Sequence, residues 1–263
     1  MSYTDSGFDK RVRNLLAAFQ QVAPPPPPPP PAPPTGMLLW LAGADIPGAD
    51  TDPISTWPDS SGNGLDATAA GAQRPTLASA SGINGKPAAV FDNTQTQFFD
   101  LPAGFADFSA GLSLYIVHSP INTLGLAKAL LGLSTNAVDS AYSFVIDTSN
   151  AGAGVLVLQP GFSFVASAGV QPYTPCVMEC RIAAGAPGSN VLGEVYIDHV
   201  LVASGAIPVP LNTARTLNYV GQDAIGFVFR YAGELAELIL YPTELSVSER
   251  AEMDAYLLDR YAL

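Results

Sequence analysis

A run of prolines near the start of the chain constrains its fold more than any other feature. Eight consecutive prolines occupy residues 24–31, and Ala32, Pro33 and Pro34 follow. Proline lacks a backbone N–H donor and its ring fixes φ at about −65°, so neither a helix nor a sheet can pass through this stretch. Polyproline II remains, rising about 3.1 Å per residue, which makes a stiff spacer of roughly 34 Å. The sequence therefore predicts three parts: an N-terminal segment (1–23), a spacer (24–35) and a large domain (36–263).

The N-terminal segment predicts an amphipathic helix. Asp5 or Ser6 can cap it, and residues 7–22 are helix-compatible throughout. So short a helix is not stable alone in water, and a stiff spacer opposes its packing on its own domain. We therefore expect this anchor to bind sister copies, as in a trimer, or a groove on another protein. Its apolar stripe, spaced as in a heptad seam, is Phe8, Val12, Leu15, Leu16, Phe19 and Val22.

The large domain is predicted to be all-β. Short apolar runs alternate with Gly, Pro, Asn and Asp and lack intervening amphipathic helices, a pattern typical of an antiparallel sandwich. The predicted strands are 37–41, 88–91, 112–118, 142–146, 154–158, 177–182, 191–197, 200–203, 217–220 and 233–241.

Two local units are predicted in more detail. Residues 195–203 form a hairpin that turns at Asp198 and His199. A helix closes the chain, with Ser246 and Glu249 as its capping box. Its buried face is predicted to contain Met253, Tyr256, Leu257 and Tyr261.

Several spaced motifs carry a family resemblance. Residues 39–46, 57–68, 82–92 and 233–242, together with the closing helix, resemble a laminin-G-like domain of the concanavalin A-like jelly-roll superfamily. The resemblance implies a jelly-roll sandwich, but that fold hosts lectins, adhesins, glycanases and phage virion proteins. Relatives commonly carry Asp where Ala42 stands here, so an ion or sugar contact made through that carboxylate is not expected.

Charge and hydropathy exclude several classes of partner. The net charge is −12; residues 36–263 hold eight bases against twenty-one acids, so nucleic acid is not an expected partner. No apolar stretch is long enough for a membrane span. Residues 1–22 are amphipathic and do not form the apolar core of a secretory signal.

The two cysteines are predicted to be reduced core thiols. Cys176 and Cys180 lie four residues apart on one predicted strand, about 13 Å from each other and too far for a disulfide. His118 and His199 are not placed at the spacing of a zinc finger. Trp40 and Trp57 are interpreted as core residues, since each stands among apolar or strand-edge positions.

The carboxylates do not predict an enzyme. Glycosidases need two carboxyl groups about 5–9.5 Å apart. Glu194 and Asp198, at i and i+4 of one predicted strand, would lie about 13 Å apart. The odd spacing of Glu234 and Glu237 predicts that they face opposite sides of their strand. No Ser-His-Asp order or phosphate loop is present either.

One loop is a candidate calcium site. Asp59, Asn63 and Asp66 could offer oxygen ligands across a stretch that contains Gly62 and Gly64. The alternative is an Asx-turn loop whose polar side chains satisfy its own backbone. No other cofactor is expected.

The layout and the resemblance together predict a non-enzymatic phage virion protein, assembled in the host cytoplasm. The interpretation we favour is a capsid decoration or head-fibre protein, with its anchor on the major capsid protein or another virion protein. Its jelly roll would face solvent, where it could bind a host-surface glycan. The alternatives are a tail-fibre or receptor-binding component, or a carbohydrate-binding or hydrolytic module of a bacterial protein.

Overall fold

The computed structural model describes residues 30–92, 94–121, 128–135, 143–149, 152–158, 163–166, 174–223 and 230–263. The predicted anchor helix therefore lies outside the described residues. The chain divides after Pro31, and the unit Ala32–Leu263 contains every strand and helix described below. Within the described residues no helix is long and apolar enough to cross a membrane.

Sixteen strands form in the described residues, and every pairing between them is antiparallel. They are β1 Leu39–Ala42, β2 Thr56–Trp57, β3 Ala67–Thr68, β4 Thr76–Ala78, β5 Ala88–Phe91, β6 Phe99–Leu101, β7 Leu112–Pro120, β8 Lys128–Ser134, β9 Ser143–Ser149, β10 Gly152–Leu158, β11 Ser163–Ala166, β12 Cys176–Ile182, β13 Asn190–Ile197, β14 Val200–Pro208, β15 Leu217–Val220 and β16 Gly233–Tyr241. Short 3-10 turns cover Gly43–Asp45 and Gly71–Gln73, and helix α1 covers Val247–Tyr261.

The strands make two sheets packed face to face. The first sheet runs β14-β13-β12-β7-β16-β5-β4, and β1 also pairs with β16. The second runs β11-β10-β9-β8-β15-β6-β3-β2. This arrangement confirms the predicted antiparallel jelly-roll sandwich with a C-terminal helix.

The main core lies between the sheets and is built from alternating strand residues. On β7, Leu112, Leu114 and Ile116 point inward and join one cluster with residues of both sheets. Aromatic rings in this interior pack edge to face. The ring centroids of Trp57 and Phe99 are 5.8 Å apart, and those of Phe91 and Phe99 are 5.9 Å apart. Such a continuous apolar interior is the main stabilising element of a sandwich.

A second core forms on the outer face of the first sheet, where α1 packs. The four predicted helix residues, Met253, Tyr256, Leu257 and Tyr261, are all buried there against strand residues such as Ile239. Each buried side chain of this size contributes about 1.5–3 kcal/mol. The predicted capping box is confirmed, because the Ser246 hydroxyl accepts from the Glu249 N–H while the Glu249 carboxylate accepts from the Ser246 N–H.

The end of the proline-rich stretch lies on this same unit. Pro34 is buried, and its carbonyl oxygen accepts a hydrogen bond from the Tyr241 hydroxyl at 2.8 Å. Pro30 and Pro31, by contrast, are exposed. Pro34, the last proline of the run, is therefore held by a contact with the Tyr241 side chain as well as by chain connectivity.

Candidate functional site

A cavity of about 350 Å³ lies between the outer face of the first sheet and the first half of α1. We call it the sheet–helix cavity. Strands β12 and β13 supply its floor with Glu179, Arg181 and Tyr196, and His199 follows from the turn after β13. The helix supplies the opposite wall with Val247, Arg250, Ala251 and Asp254.

Strand alternation explains why two charged residues reach this cavity. Along β12, Met178, Cys180 and Ile182 point into the main core, so the intervening Glu179 and Arg181 point to the outer face. Cross-strand register sets Tyr115 of β7 and Tyr196 of β13 on either side of Glu179. The same register sets Glu194 opposite Arg181.

The floor of the cavity is one connected polar network. The Tyr115 hydroxyl donates to Glu179 Oε1 at 3.0 Å, and Arg181 Nε lies 3.0 Å from the same oxygen. Arg181 Nη1 lies 3.6 Å from Glu194 Oε2, and the guanidinium stacks over the Tyr196 ring at 4.0 Å from its centroid. The side chains of Arg181 and Glu179 are only 6% and 8% exposed.

Burial sets the protonation behaviour of this network. Desolvation raises the pKa of Glu179, although Arg181 and the Tyr115 hydrogen bond oppose that shift. Desolvation and the neighbouring carboxylate also raise the pKa of Tyr115, which keeps the phenol protonated as a donor. Glu179 is thus a buried acid with a shifted pKa in a cleft, the combination typical of functional sites.

Arg181 is not fully satisfied by its ionic neighbours. Its Nε–H is near Glu179 but is not aligned on that oxygen, and it has no hydrogen-bond acceptor among the described residues. A buried donor without an acceptor costs roughly 1–3 kcal/mol, and more when it is charged.

The helix wall is held to the turn after β13 by a contact between His199 and Asp254. His199 Nδ1 lies 2.9 Å from Asp254 Oδ1, with the two side chains 33% and 43% exposed. Arg250, one turn earlier on α1, has no carboxylate partner among the described residues. The cavity therefore combines donors, acceptors and one aromatic ring, which suits recognition of a polar ligand.

Sequence reasoning missed this site. The run Met-Glu-Cys-Arg-Ile at 178–182 alternates apolar and charged residues, which predicts a strand with a charged outer face. The cysteines were interpreted correctly, since Cys176 and Cys180 are both buried and neither forms a disulfide. The charges of Glu179 and Arg181 carried an available signal that sequence reasoning did not use.

The predicted calcium loop is closed by its own hydrogen bonds. Asp59 Oδ1 accepts from the backbone N–H groups of Trp40 and Ser61, and Oδ2 accepts from the Ser61 hydroxyl and the Leu65 N–H. These bonds hold the pKa of Asp59 below its usual range, against the opposing effect of desolvation by burial. These hydrogen bonds have the pattern expected for an Asx-turn loop whose polar side chains satisfy its own backbone.

The other two members of that loop also make bonds to protein. Asp66 Oδ1 accepts from the Asp59 N–H, and Asn63 Nδ2 donates to the carbonyls of Met37 and Leu38. Among the residues that the structure describes, no three His, Cys, Asp or Glu side chains converge as a metal site. Calcium binding by Asp59, Asn63 and Asp66 stays a prediction.

Two statements about carboxylate geometry were wrong. Asp198 is not on a strand with Glu194, because β13 ends at Ile197 and Asp198 begins the turn with φ 47°. Its carboxylate instead accepts from the Val177 N–H at 2.9 Å. The predicted hairpin itself is confirmed, since Asp198 and His199 both have the positive φ of a type I′ turn.

Glu234 and Glu237 lie on the same face, not on opposite faces. A register shift between Leu235 and Glu237 inserts one residue into β16, and a bulge of this kind reverses the parity of the strand. Glu234 accepts from the Gly82 N–H, whereas Glu237 is buried beneath α1. Sequence spacing alone cannot show such a bulge.

Both tryptophans pack on the apolar cores, as predicted, but only Trp57 is a fully buried core residue. Trp57 is fully buried and donates its indole N–H to the carbonyl of Ala42. Trp40 is partly buried and packs edge to face on Tyr256. Ala42 is itself buried.

Comparison with known proteins indicates the fold and no more. No protein-family model and no curated protein matches the sequence. Domain 4 of AbnA, a GH43 extracellular arabinanase from Geobacillus stearothermophilus solved in complex with arabinotriose, is 16% identical. It aligns with a TM-score of 0.56 over 85% of this chain and 98% of that one.

A second solved structure is the Trypanosoma rangeli sialidase in complex with sialic acid. It is 17% identical, with a TM-score of 0.51, and the match covers 94% of this chain. The chain spans only 38% of that sialidase. At these identities the likeness shows a shared β-sandwich architecture.

Proposed function

We propose that this chain is a non-enzymatic glycan-binding protein whose ligand occupies the sheet–helix cavity. The observation that carries the proposal is the buried Glu179–Arg181 pair, which lines the sheet–helix cavity with charged hydrogen-bonding side chains. Tyr196 adds an aromatic surface beside it. The fold likeness to a domain solved with arabinotriose supports a glycan as the ligand class.

Binding without hydrolysis fits the arrangement of the carboxylates. Arg181 contacts both Glu179, on the cavity floor, and the neighbouring Glu194, so one guanidinium holds the two acids. Hydrolysis would need one acid free to donate a proton and a second free to act as nucleophile or base. Glu237 and Asp59, elsewhere in the domain, are each engaged by several protein donors.

The experiment is a glycan array with the purified full chain, followed by a reducing-end assay on every glycan retained. We expect at least one glycan to be retained without release of reducing ends, and Arg181→Gln to abolish retention. Glu252→Gln, on the exposed face of α1, is the matched control and should bind as the wild type does. Absence of any retained glycan would contradict the proposal, as would turnover that Glu179→Gln removes.

A finer proposal concerns the particle on which the sandwich domain is displayed. The proline-rich spacer and the apolar anchor stripe support a phage virion protein, either a capsid decoration or head-fibre protein anchored by residues 1–23. A major capsid protein or another virion protein would be the partner of the anchor, and the chain would form a homo-oligomer. A tail-fibre component and a module of a bacterial protein are the alternatives. A glycan-binding sandwich domain is compatible with each of them.

A further inference from the structure

We infer that β14 is a pairing surface for a second copy of this chain, so that two sandwich domains join their first sheets edge to edge as an antiparallel dimer. The inference concerns the unit Ala32–Leu263 and is separate from the association expected of the anchor. It rests on an uncovered strand edge, on the exposed apolar residues of that strand and on the absence of charge in it.

The strand order of the first sheet ends at β4 on one side and at β14 on the other. The outer side of β4 is covered, because the Thr51 N–H donates to the Leu77 carbonyl and the Leu77 N–H donates to the Asp52 carbonyl. The nine-residue β14 pairs only with β13, and among the described residues no other backbone hydrogen bond reaches it. Its outer side is therefore a row of N–H and C=O groups with which a further strand can pair.

The part of β14 that is open to a partner is its beginning. Strand β11 of the second sheet comes close to β14 without pairing with it, and Ile207 and Pro208 at the far end are buried. Val200, Leu201 and Val202 are by contrast 63%, 48% and 36% exposed. Three adjacent exposed apolar residues on a strand edge indicate a contact surface, since single scattered ones are the usual case on a protein surface.

The charge of the domain favours a second copy of this chain as the partner. Residues 36–263 hold eight bases against twenty-one acids, so most contacts between two copies would bring acids together. Strand β14 contains no charged residue, and its only proline, Pro208, stands at its end. Lysine, proline and inward-pointing charges usually protect exposed edges, and the open part of this edge has none of them. Two copies can therefore meet here without opposing their charges.

The beginning of β14 is self-complementary about Leu201. A two-fold axis there pairs the two strands antiparallel, with Leu201 opposite its own copy and Val200 opposite Val202. Asp198, in the turn before the strand, falls opposite Ser204 and not opposite another acid. Cross-strand pairs of apolar and β-branched side chains stabilise a sheet, and this register supplies such pairs across the whole exposed segment.

This dimer would place two sheet–helix cavities on one face. A two-fold axis perpendicular to a sheet keeps the outer faces of both copies on the same side. Tyr196 on the cavity floor pairs with Leu201, so the two Tyr196 residues would be three strand spacings apart, about 14 Å. Only this consequence rests on the proposed function: if the cavities bind glycan, one dimer presents two binding sites to the same surface.

Disulfide trapping in the full chain tests the register. Leu201→Cys places two thiols opposite each other with Cβ atoms about 4.5–5.5 Å apart, close to the distance that a disulfide spans. Leu258→Cys, at an exposed leucine of α1, is the matched control and keeps the same anchor. With diamide as oxidant, we expect Leu201→Cys to give at least tenfold more covalent dimer on a non-reducing gel than the control gives. The wild type should give none, because Cys176 and Cys180 are buried. Equal yields from the two variants would overturn the inference.

Sedimentation equilibrium provides a second, independent measurement. The chain carrying Leu15→Asp and Phe19→Asp removes the association expected of the anchor, and we expect it to have the mass of two chains. Adding Leu201→Lys places a charge in the edge and should give the mass of one chain with an unchanged circular dichroism spectrum, whereas Leu258→Lys should leave the dimer intact. A single-chain mass before Leu201 is changed would contradict the inference, as would a dimer that Leu201→Lys does not weaken. Glycan retention on the array is measured separately, so either result leaves the proposed function standing.

Discussion

Trp40 donates its indole N–H to Glu237 Oε1 across 2.6 Å, although the two residues are 197 positions apart in sequence. The same oxygen accepts from the Tyr256 hydroxyl of α1, and Oε2 lies 3.5 Å from Arg260 Nε. Glu237 is almost completely buried. One carboxylate thus connects β1, β16 and the closing helix, which fixes α1 on the outer face of the sheet.

Glu237→Ala should strongly destabilise the domain. The substitution leaves the Trp40 and Tyr256 donors and the Arg260 guanidinium without their acceptor, a change that typically costs about 3–5 kcal/mol for a buried ionic group. Urea denaturation followed by circular dichroism measures the loss. Glu252→Ala, exposed on the same helix, should change the free energy of unfolding by less than about 0.5 kcal/mol. Equal losses in the two variants would refute this role for Glu237.

Stability should depend on pH through the same residue. Desolvation raises the pKa of Glu237 above its usual range, while Arg260 and the hydroxyl donors oppose the shift. The folded state therefore binds the proton more readily than the unfolded chain, in which a glutamate titrates at about 4.3. The contribution of Glu237 to the free energy of unfolding must then fall as pH rises from about 4.3 to the folded pKa. Above the folded pKa this contribution stays constant.

A comparison of wild type with Glu237→Gln isolates this dependence. The amide cannot titrate, so the stability of the wild type relative to the variant should decrease as pH rises above about 4.3. Glu179, whose pKa burial also raises, contributes equally to both proteins and cancels. Urea midpoints taken between pH 4 and 8 provide the measurement. A difference that stays constant, or grows with pH, would show that the sign is wrong.

The contact between Pro34 and Tyr241 should make the domain sensitive to where it is truncated. A fragment of residues 32–263 keeps the hydrogen bond to the Pro34 carbonyl, whereas a fragment of residues 35–263 loses it. We expect both to fold as β-sandwiches, with the shorter one less stable by about 0.5–1.5 kcal/mol or slightly more. Tyr241→Phe should destabilise the longer fragment more than the shorter one, because the bond is already absent from the latter. Identical effects in both fragments would exclude a stabilising role for this bond.

The anchor stripe should determine attachment to a particle. Leu15→Asp combined with Phe19→Asp places two charges in the predicted seam, and burial of such side chains is worth about 1.5–3 kcal/mol each. We expect virion occupancy, measured by quantitative mass spectrometry, to be lost while the melting temperature of the sandwich is unchanged. Occupancy at the wild-type level would require a different attachment surface. Light scattering on the free protein reports whether the oligomer is lost as well.

The sequence predicts much of this fold because strand signals are local. The strands 88–91, 217–220 and 233–241 have the predicted bounds. The buried residues of α1 are also the predicted ones. The predicted strands omit six that the structure contains: β2, β3, β4, β6, β8 and β11. Four of these, β2, β3, β4 and β6, have only two or three residues, which carry too little periodicity to detect. All six pair with neighbouring strands, which supply their hydrogen bonds.

The candidate site was harder to predict because it depends on long-range register. Glu179 meets Tyr115 of β7, 64 residues away, and Tyr196 of the next strand, and neither neighbour is visible from local sequence. The bulge in β16 likewise arises from pairing with β7. It places Glu234 and Glu237 on the same face, although their odd spacing would put them on opposite faces of a regular strand. Charged residues between buried ones were the available signal, and they indicate an outer face without showing what covers it.

A crystal structure of the complex would show whether glycan binds in the sheet–helix cavity. The full chain would be crystallised with whichever glycan the array retains best. We expect sugar density within hydrogen-bonding distance of Arg181 and Glu179, beside the Tyr196 ring. Glycan bound on the outer face of the second sheet or at the loop of residues 59–66, with the sheet–helix cavity holding no sugar, would contradict it.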